Sequence, residues 1–207
     1  MNGLYLVTPD WDDTNQLVDT TERALRGGAA VVQYRHKTAD AALRQEQARR
    51  LLALCRAYQR PFIINDHLDL CLLLDADGVH VGGTDASVAQ ARAAVGPDKI
   101  VGASCYGDLQ LAHQAYVSGA SYVAFGGFYP SRVKQYPVTT PLDIVVQARQ
   151  TIALPSVVIG GMTHDNAAPL VARGADMVAA ISSVYLATDP EAAARGFVEL
   201  FLNQAEK

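Results

Sequence analysis

The sequence predicts a single α/β domain over residues 1–207, a (β/α)8 TIM barrel, on three observations. Short apolar runs recur along the chain, each followed by Gly or polar residues and then by a longer Ala-, Leu- and Arg-rich segment of helical period. The runs are apolar nearly throughout rather than alternating, as parallel strands covered on both faces must be. The polar residues that interrupt the rhythm fall where strands end, and barrel enzymes build their sites on that rim. Periodicity alone also admits a doubly wound open sheet; the placement of the polar residues favours closure.

The first strand is read over 4–7, followed by a helix over 16–26 that stops at Gly27-Gly28. The second, 30–34, runs into Gln33-Tyr34-Arg35-His36-Lys37 and a helix over 41–58. The third, 62–64, ends at Asn65-Asp66 before a short helix over 69–74. The fourth, 78–81, precedes Gly83, Asp85 and a helix over 88–94, and the fifth, 100–103, leads to Ser104 and a helix over 108–118. The sixth, 122–125, opens the long connection 128–140, which precedes a helix over 143–151. The seventh, 156–159, ends in Gly160-Gly161 ahead of a helix over 166–173, and the eighth, 177–181, runs into Ser182-Ser183 before a helix over 192–202. Gly27-Gly28, Gly119 and Gly174 are placed to supply left-handed helix caps.

A chain of 207 residues, 50% hydrophobic, buries one sizeable core. A net charge of -4 without a long basic stripe argues against nucleic acid as the main partner. Cys55, Cys71 and Cys105 lack the paired spacing of a zinc site or a disulfide framework and read as reduced thiols of a cytoplasmic protein. No apolar run approaches membrane-spanning length, and the start at Leu4 is too short for a signal-peptide core, so a soluble chain without a membrane partner is expected. Homo-oligomer formation is left open.

Along an extended strand Gln33, Arg35 and Lys37 share one face while Val32, Tyr34 and His36 take the other. Two cations on one face call for an anion: Arg35 offers a fork and Lys37 a point charge to a phosphate, and Gln33 can read a heterocycle. Asp66 and Asp85 come from neighbouring loops of a barrel and can converge on Mg2+, whose shell is completed by waters and substrate phosphates. The competing reading makes Asn65-Asp66 a helix cap. Gly160-Gly161 and Ser182 lie after the last two strands, where barrels cradle a phosphate. The 128–140 connection reads as a charged lid in which Lys134 is the catalytic cation. The five histidines lack zinc spacing, and His80 reads as a satisfied core residue. A metal-bound diphosphate beside a second phosphorylated small molecule describes a transferase from which pyrophosphate leaves.

Across essentially the whole chain these residues resemble the thiamine phosphate synthase family. The resemblance is carried by Tyr5-Leu6-Val7-Thr8, Gln33-Tyr34-Arg35-His36-Lys37, Ile64-Asn65-Asp66, Ala76-Asp77-Gly78-Val79-His80-Val81-Gly82, Val101-Gly102-Ala103-Ser104, Pro130-Ser131-Arg132-Val133-Lys134 and Ile159-Gly160-Gly161. It implies a (β/α)8 enzyme that joins hydroxymethylpyrimidine diphosphate to hydroxyethylthiazole phosphate, or to its carboxylated form, by dissociative substitution. Pyrophosphate departs, a pyrimidine-stabilised carbocation forms, and the thiazole nitrogen captures it. The family implies that Gln33, Tyr34, Arg35, His36, Lys37, Asn65, Ser104 and Lys134 hold the pyrimidine diphosphate, with Arg35, Lys37, Ser104 and Lys134 catalytic. Asp66 and Asp85 would bind magnesium, and Ser131, Arg132, Val133, Gly160, Gly161, Ile181 and Ser182 would hold the thiazole phosphate. The chain departs from the family pattern at Val133, where Thr is usual, at Tyr106, where His is common, and at Gly83, where Gln is usual. Two rival expectations are a thiazole tautomerase on the same barrel and a catalytically silent sensor of thiamine precursors.

Overall fold

The computed structural model describes residues 1–82, 87–130 and 139–205. Eight parallel strands close into a barrel in chain order, with β1 paired to both β2 and β8, so the open sheet is excluded. They are β1 Gly3–Val7, β2 Val31–Tyr34, β3 Phe62–Asn65, β4 Gly78–Val81, β5 Ile100–Tyr106, β6 Tyr122–Phe125, β7 Ser156–Ile159 and β8 Met177–Ala180. The surrounding helices are α1 Thr14–Arg26, α2 Ala41–Ala57, α3 Leu68–Leu74, α4 Val88–Val95, α5 Leu109–Val117, α6 Ile144–Thr151, α7 His164–Ala172, α8 Ser182–Tyr185 and α9 Pro190–Ala205. Only α8 has no counterpart in the sequence reading, because four residues are too few to show a helical period.

Strand alternation sorts the core into two layers. Tyr5, Val7, Val31, Ile63, Tyr122, Val157 and Met177 fill the barrel interior. Their neighbours, such as Leu4, Leu6, Val32, Phe62 and Ile64, face outward against the helices. Asp13, Asp40, Ser87, Asp108 and Thr163 cap helix N-termini, each accepting from a backbone N–H of the first turn. At the predicted glycine stops, Gly28, Gly119 and Gly174 take left-handed φ values of 99°, 91° and 95°. Gly27 is the correction: its φ is -70°, so it is no left-handed cap. It is small for another reason, since a Cβ there would lie 2.4 Å from the Glu191 carbonyl oxygen of α9.

Arg92 of α4 ties three chain segments together at the edge of β5. Its guanidinium donates to the carbonyls of Gly96 (2.7 Å), Lys99 (2.6 Å) and Gly119 (2.9 Å) and to Ser121 Oγ (2.9 Å). Arg92→Ala strands these acceptors and is expected to lower unfolding stability by about 2 kcal/mol. In urea the midpoint should fall with an unchanged slope, and an unmoved midpoint would remove this clamp from the stability account.

Candidate active site

β2 stops at Tyr34, so Arg35, His36 and Lys37 stand in the loop beyond it rather than on the strand. Thr8, the residue after β1, is fully buried and brackets Arg35: its hydroxyl accepts from the Arg35 N–H and donates to the Arg35 carbonyl, both at 2.8 Å. The Arg35 side chain is 9% exposed and donates from Nη1 to Asp10 at 3.0 Å and 3.3 Å. Asp10 also accepts from the Lys37 backbone N–H at 3.0 Å, so one carboxylate shapes the whole turn. The buried Arg35 Nε has no partner among the described residues. A fixed guanidinium with an unused N–H is suited to an anionic oxygen.

Lys37, half exposed, forms an ion pair with Asp66, which also accepts from Asn65 Nδ2 at 2.6 Å. Asp66 has a φ of 64°, a left-handed conformation that Asp tolerates better than most residues. This sets the cap reading aside, because the N-cap position of α3 is His67 and no side chain caps that helix. The strand end therefore holds an acid in a constrained backbone, beside a cation and an amide.

Tyr34 and His36 require correction as side-chain contacts to a substrate. Tyr34 falls on the outward face of β2 and donates to Gln47 Oε1 of α2 at 2.9 Å. The His36 side chain is fully buried, with Nδ1 accepting from the Ala39 N–H at 3.0 Å and Nε2 3.2 Å from Asp12. Both lie behind the rim.

Gln33 points into the barrel and starts a chain of hydrogen bonds. Its Nε2 donates to the Tyr5 hydroxyl (2.9 Å), which bonds the Tyr122 hydroxyl (2.7 Å), which meets His80 Nδ1 (2.8 Å). His80 Nε2 then meets Ser104 Oγ at 2.8 Å. His80 is thus a partnered interior histidine, as read from the sequence, but its partner is on the rim. Two glycines make room: a Cβ on Gly102 would lie 2.1 Å from the Tyr122 hydroxyl oxygen, and one on Gly82 would lie 2.8 Å from Ser104 Oγ. Burial pushes both phenols well above the usual tyrosine range, so each keeps its proton at neutral pH.

On the other half of the rim, the ends of β5 to β8 enclose a cavity of ≈ 220 Å³ that brings Ser104 together with Gly160, Gly161, Ile181 and Ser182. Gly161 has a φ of 61°, and a Cβ on it would lie 2.2 Å from the Pro130 carbonyl oxygen. Ser183 Oγ, on the second residue of α8, is buried without a partner among the described residues. Tyr106 also lines the cavity, brought there by a register shift in β5 and a φ of 53°. Asp85, Ser131, Arg132, Val133 and Lys134 lie outside the described residues.

The donor chemistry of this rim fits magnesium. Among the described residues no three His, Cys, Asp or Glu side chains gather as a metal cluster. Magnesium asks for less: one or two carboxylates, with waters and substrate phosphates supplying the remaining oxygens. Asp66 offers one such carboxylate. The sequence reading passed over Tyr5, Thr8, Asp10 and Tyr122 as site residues. Asp10 had a signal, being an acid just past the first strand in a chain that must neutralise Arg35; the tyrosines read simply as strand apolars.

The fold and the rim together define a (β/α)8 barrel that carries a buried guanidinium, a lysine–aspartate ion pair and a cavity at the carboxyl ends of its strands. The thiamine monophosphate synthase family matches residues 4–184. The thiamine-phosphate synthase of Janthinobacterium sp. (strain Marseille) is 71% identical over 97% of this chain and 97% of its own. That of Methylobacillus flagellatus is 50% identical over 97% of this chain and 96% of its own. Among solved structures, the thiamine phosphate pyrophosphorylase of Pyrococcus furiosus superposes with a TM-score of 0.85 at 31% identity, covering 97% and 96% of the two chains. The chain belongs to the thiamine monophosphate synthase family.

Proposed function

We propose that this chain is a transferase that condenses hydroxymethylpyrimidine diphosphate with hydroxyethylthiazole phosphate, or its carboxylated form, to give thiamine phosphate and pyrophosphate. The observation that carries the reading is the two-sided rim, with Arg35, Lys37 and Asp66 on one half, the Gly160–Gly161–Ser182 cavity on the other, and Ser104, which lines that cavity and is joined to Gln33 by hydrogen bonds, linking the two. In the reaction the methylene C–O bond to the diphosphate breaks with its electron pair leaving on pyrophosphate, and a C–N bond forms to the thiazole nitrogen.

Arg35 is oriented by Asp10 and Thr8, so its guanidinium charge is held in place to face a diphosphate oxygen. Lys37 can exchange the Asp66 carboxylate for a second phosphate oxygen. Gln33 and Asn65 face the pyrimidine side, and Lys134 adds a further cation. Gly160, Gly161, Ile181 and Ser182, with Ser131, Arg132 and Val133, hold the thiazole phosphate. Asp66 and Asp85 would hold Mg2+, which when bound neutralises charge on the departing pyrophosphate. The remaining rate enhancement comes from holding carbocation and thiazole nitrogen in line.

Two phosphorylated small molecules are then the partners, and the net charge of -4 supports leaving nucleic acid out. The described helices contain none long and apolar enough to cross a membrane. A cytoplasmic location is supported by three buried free cysteines. Burial pushes Cys55 and Cys105 up to about 12 and Cys71 to about 11, so they remain thiols.

Purified protein given Mg2+ and both precursors should release pyrophosphate and thiamine phosphate in equal amounts. Binding of both precursors with no pyrophosphate would overturn the reading in favour of a sensor. Isomerisation of a carboxylated thiazole phosphate with no diphosphate consumed would instead make the chain a tautomerase.

A further inference from the structure

The hydrogen bonds running from Gln33 to Ser104 cross the barrel interior and draw on five strands, β2, β1, β6, β4 and β5 in that order. Both tyrosines are buried, at 1% and 0% exposure, so the bonding choices within the chain are few. Each phenol carries one proton. The Tyr5 oxygen accepts from Gln33 Nε2, so its own proton goes to the Tyr122 oxygen. Tyr122 then donates to His80 Nδ1, and the imidazole proton sits on Nε2, facing Ser104 Oγ. The serine oxygen accepts there, and its own proton is left to point into the cavity it lines.

We propose that Tyr5, Tyr122 and His80 are positioning residues that set the polarity of both ends of this chain, so that Gln33 presents its amide oxygen and Ser104 its hydroxyl proton to the ligand. The inference rests on the pyrimidine-diphosphate reading of this half-site. A ring with an exocyclic amino group and a neighbouring ring nitrogen offers a donor and an acceptor that meet these two groups. The corresponding oxo ring offers a carbonyl oxygen and a ring N–H instead, which would set oxygen against oxygen and N–H against O–H. To accommodate it, Gln33 must turn its amide over and every proton in the chain must reverse. Polarity thus makes the site a selector of amino over oxo pyrimidines, of the kind in which a group held for one partner rejects its isostere.

The packing supports a dedicated device. Gly102 of β5 and Gly82, the residue after β4, are glycine where a Cβ would strike Tyr122 and Ser104, so two positions give up side chains to let these bonds form. The His80 and Tyr122 rings also stack, with centroids 5.6 Å apart and planes at 22°, which fixes the imidazole nitrogens in place.

The test compares pyrophosphate release from the amino and oxo pyrimidine diphosphates in the intact protein, in Tyr122→Phe, and in Val157→Ala as an interior packing control outside the chain. Wild type should prefer the amino substrate by about a thousandfold or more in kcat/KM. Tyr122→Phe should cut that preference at least about tenfold, because Tyr5 loses its fixed acceptor and Gln33 can turn over. Val157→Ala should lower the Tm and leave the ratio unchanged. An unchanged ratio in a folded Tyr122→Phe would overturn the proposal while leaving the transferase reading intact; no pyrophosphate from wild type would overturn that reading itself. Nitrogen NMR of the His80 ring in the unmutated protein gives a check that needs neither variant nor turnover. The Nε2–H tautomer is expected, and the Nδ1–H tautomer would overturn the polarity.

Discussion

Asp66→Asn is expected to lower kcat/KM for pyrophosphate release about a thousandfold and to raise the Mg2+ concentration needed for half-maximal rate. The substitution isolates charge from backbone. Asp66 sits at a φ of 64°, which Asn tolerates as readily as Asp, whereas Ala would add strain of about 1 kcal/mol to any loss of metal affinity. Asn also keeps an oxygen that can accept from Asn65 Nδ2. What it removes is the negative charge that pairs with Lys37 and would hold the cation. Lys37 is then left without its present counter-ion, so diphosphate binding should suffer less than turnover: KM rising by less than kcat falls. A variant with wild-type turnover and an unshifted Mg2+ response would take Asp66 out of the metal site and leave its ion pair with Lys37 structural.

The barrel was legible because a parallel strand buried on both faces announces itself as an unbroken apolar run, and eight such runs recur at near-regular spacing. The placement of Arg35 was less so. Alternation puts it on the face of Gln33, but the strand stops one residue earlier, and the geometry beyond is set by Thr8 and Asp10 from the preceding loop. Such a long-range contact leaves no local pattern. Tyr34 and His36 show the same limit from the other side. The motif around them matches the family, yet the side chains serve α2 and the loop after β2, because the strand must cover its outer face as well as build its inner one. The interior polar chain was illegible for a different reason: tyrosine in a strand reads as core, and nothing in sequence spacing tells which buried hydroxyls will meet.

Gly161→Ala should bear most heavily on the thiazole side of the reaction. A Cβ at this position would lie 2.2 Å from the Pro130 carbonyl oxygen and 3.1 Å from the Tyr129 carbonyl carbon, so it cannot be accommodated by rotating a side chain. The loop after β7 must withdraw from the loop after β6, opening the cavity that Gly160, Gly161 and Ser182 share with Ser104. A displacement of about an ångström at a positioning loop costs on the order of a hundredfold, and here it should appear as a raised KM for the thiazole phosphate. The KM for pyrimidine diphosphate should rise less, because Arg35, Lys37 and Asp66 stand beyond β2 and β3, away from the clash, and only Ser104 of the pyrimidine side lines the opened cavity. Gly96→Ala is the matching control: its φ of 80° makes alanine costly by about 1–3 kcal/mol, but open space surrounds it and it stands outside the site. It should lower the Tm and leave both KM values alone. If Gly161→Ala raised the two KM values equally, the rim would be one shared pocket rather than two half-sites. The phosphate cradle could not then be assigned to the β7 and β8 loops.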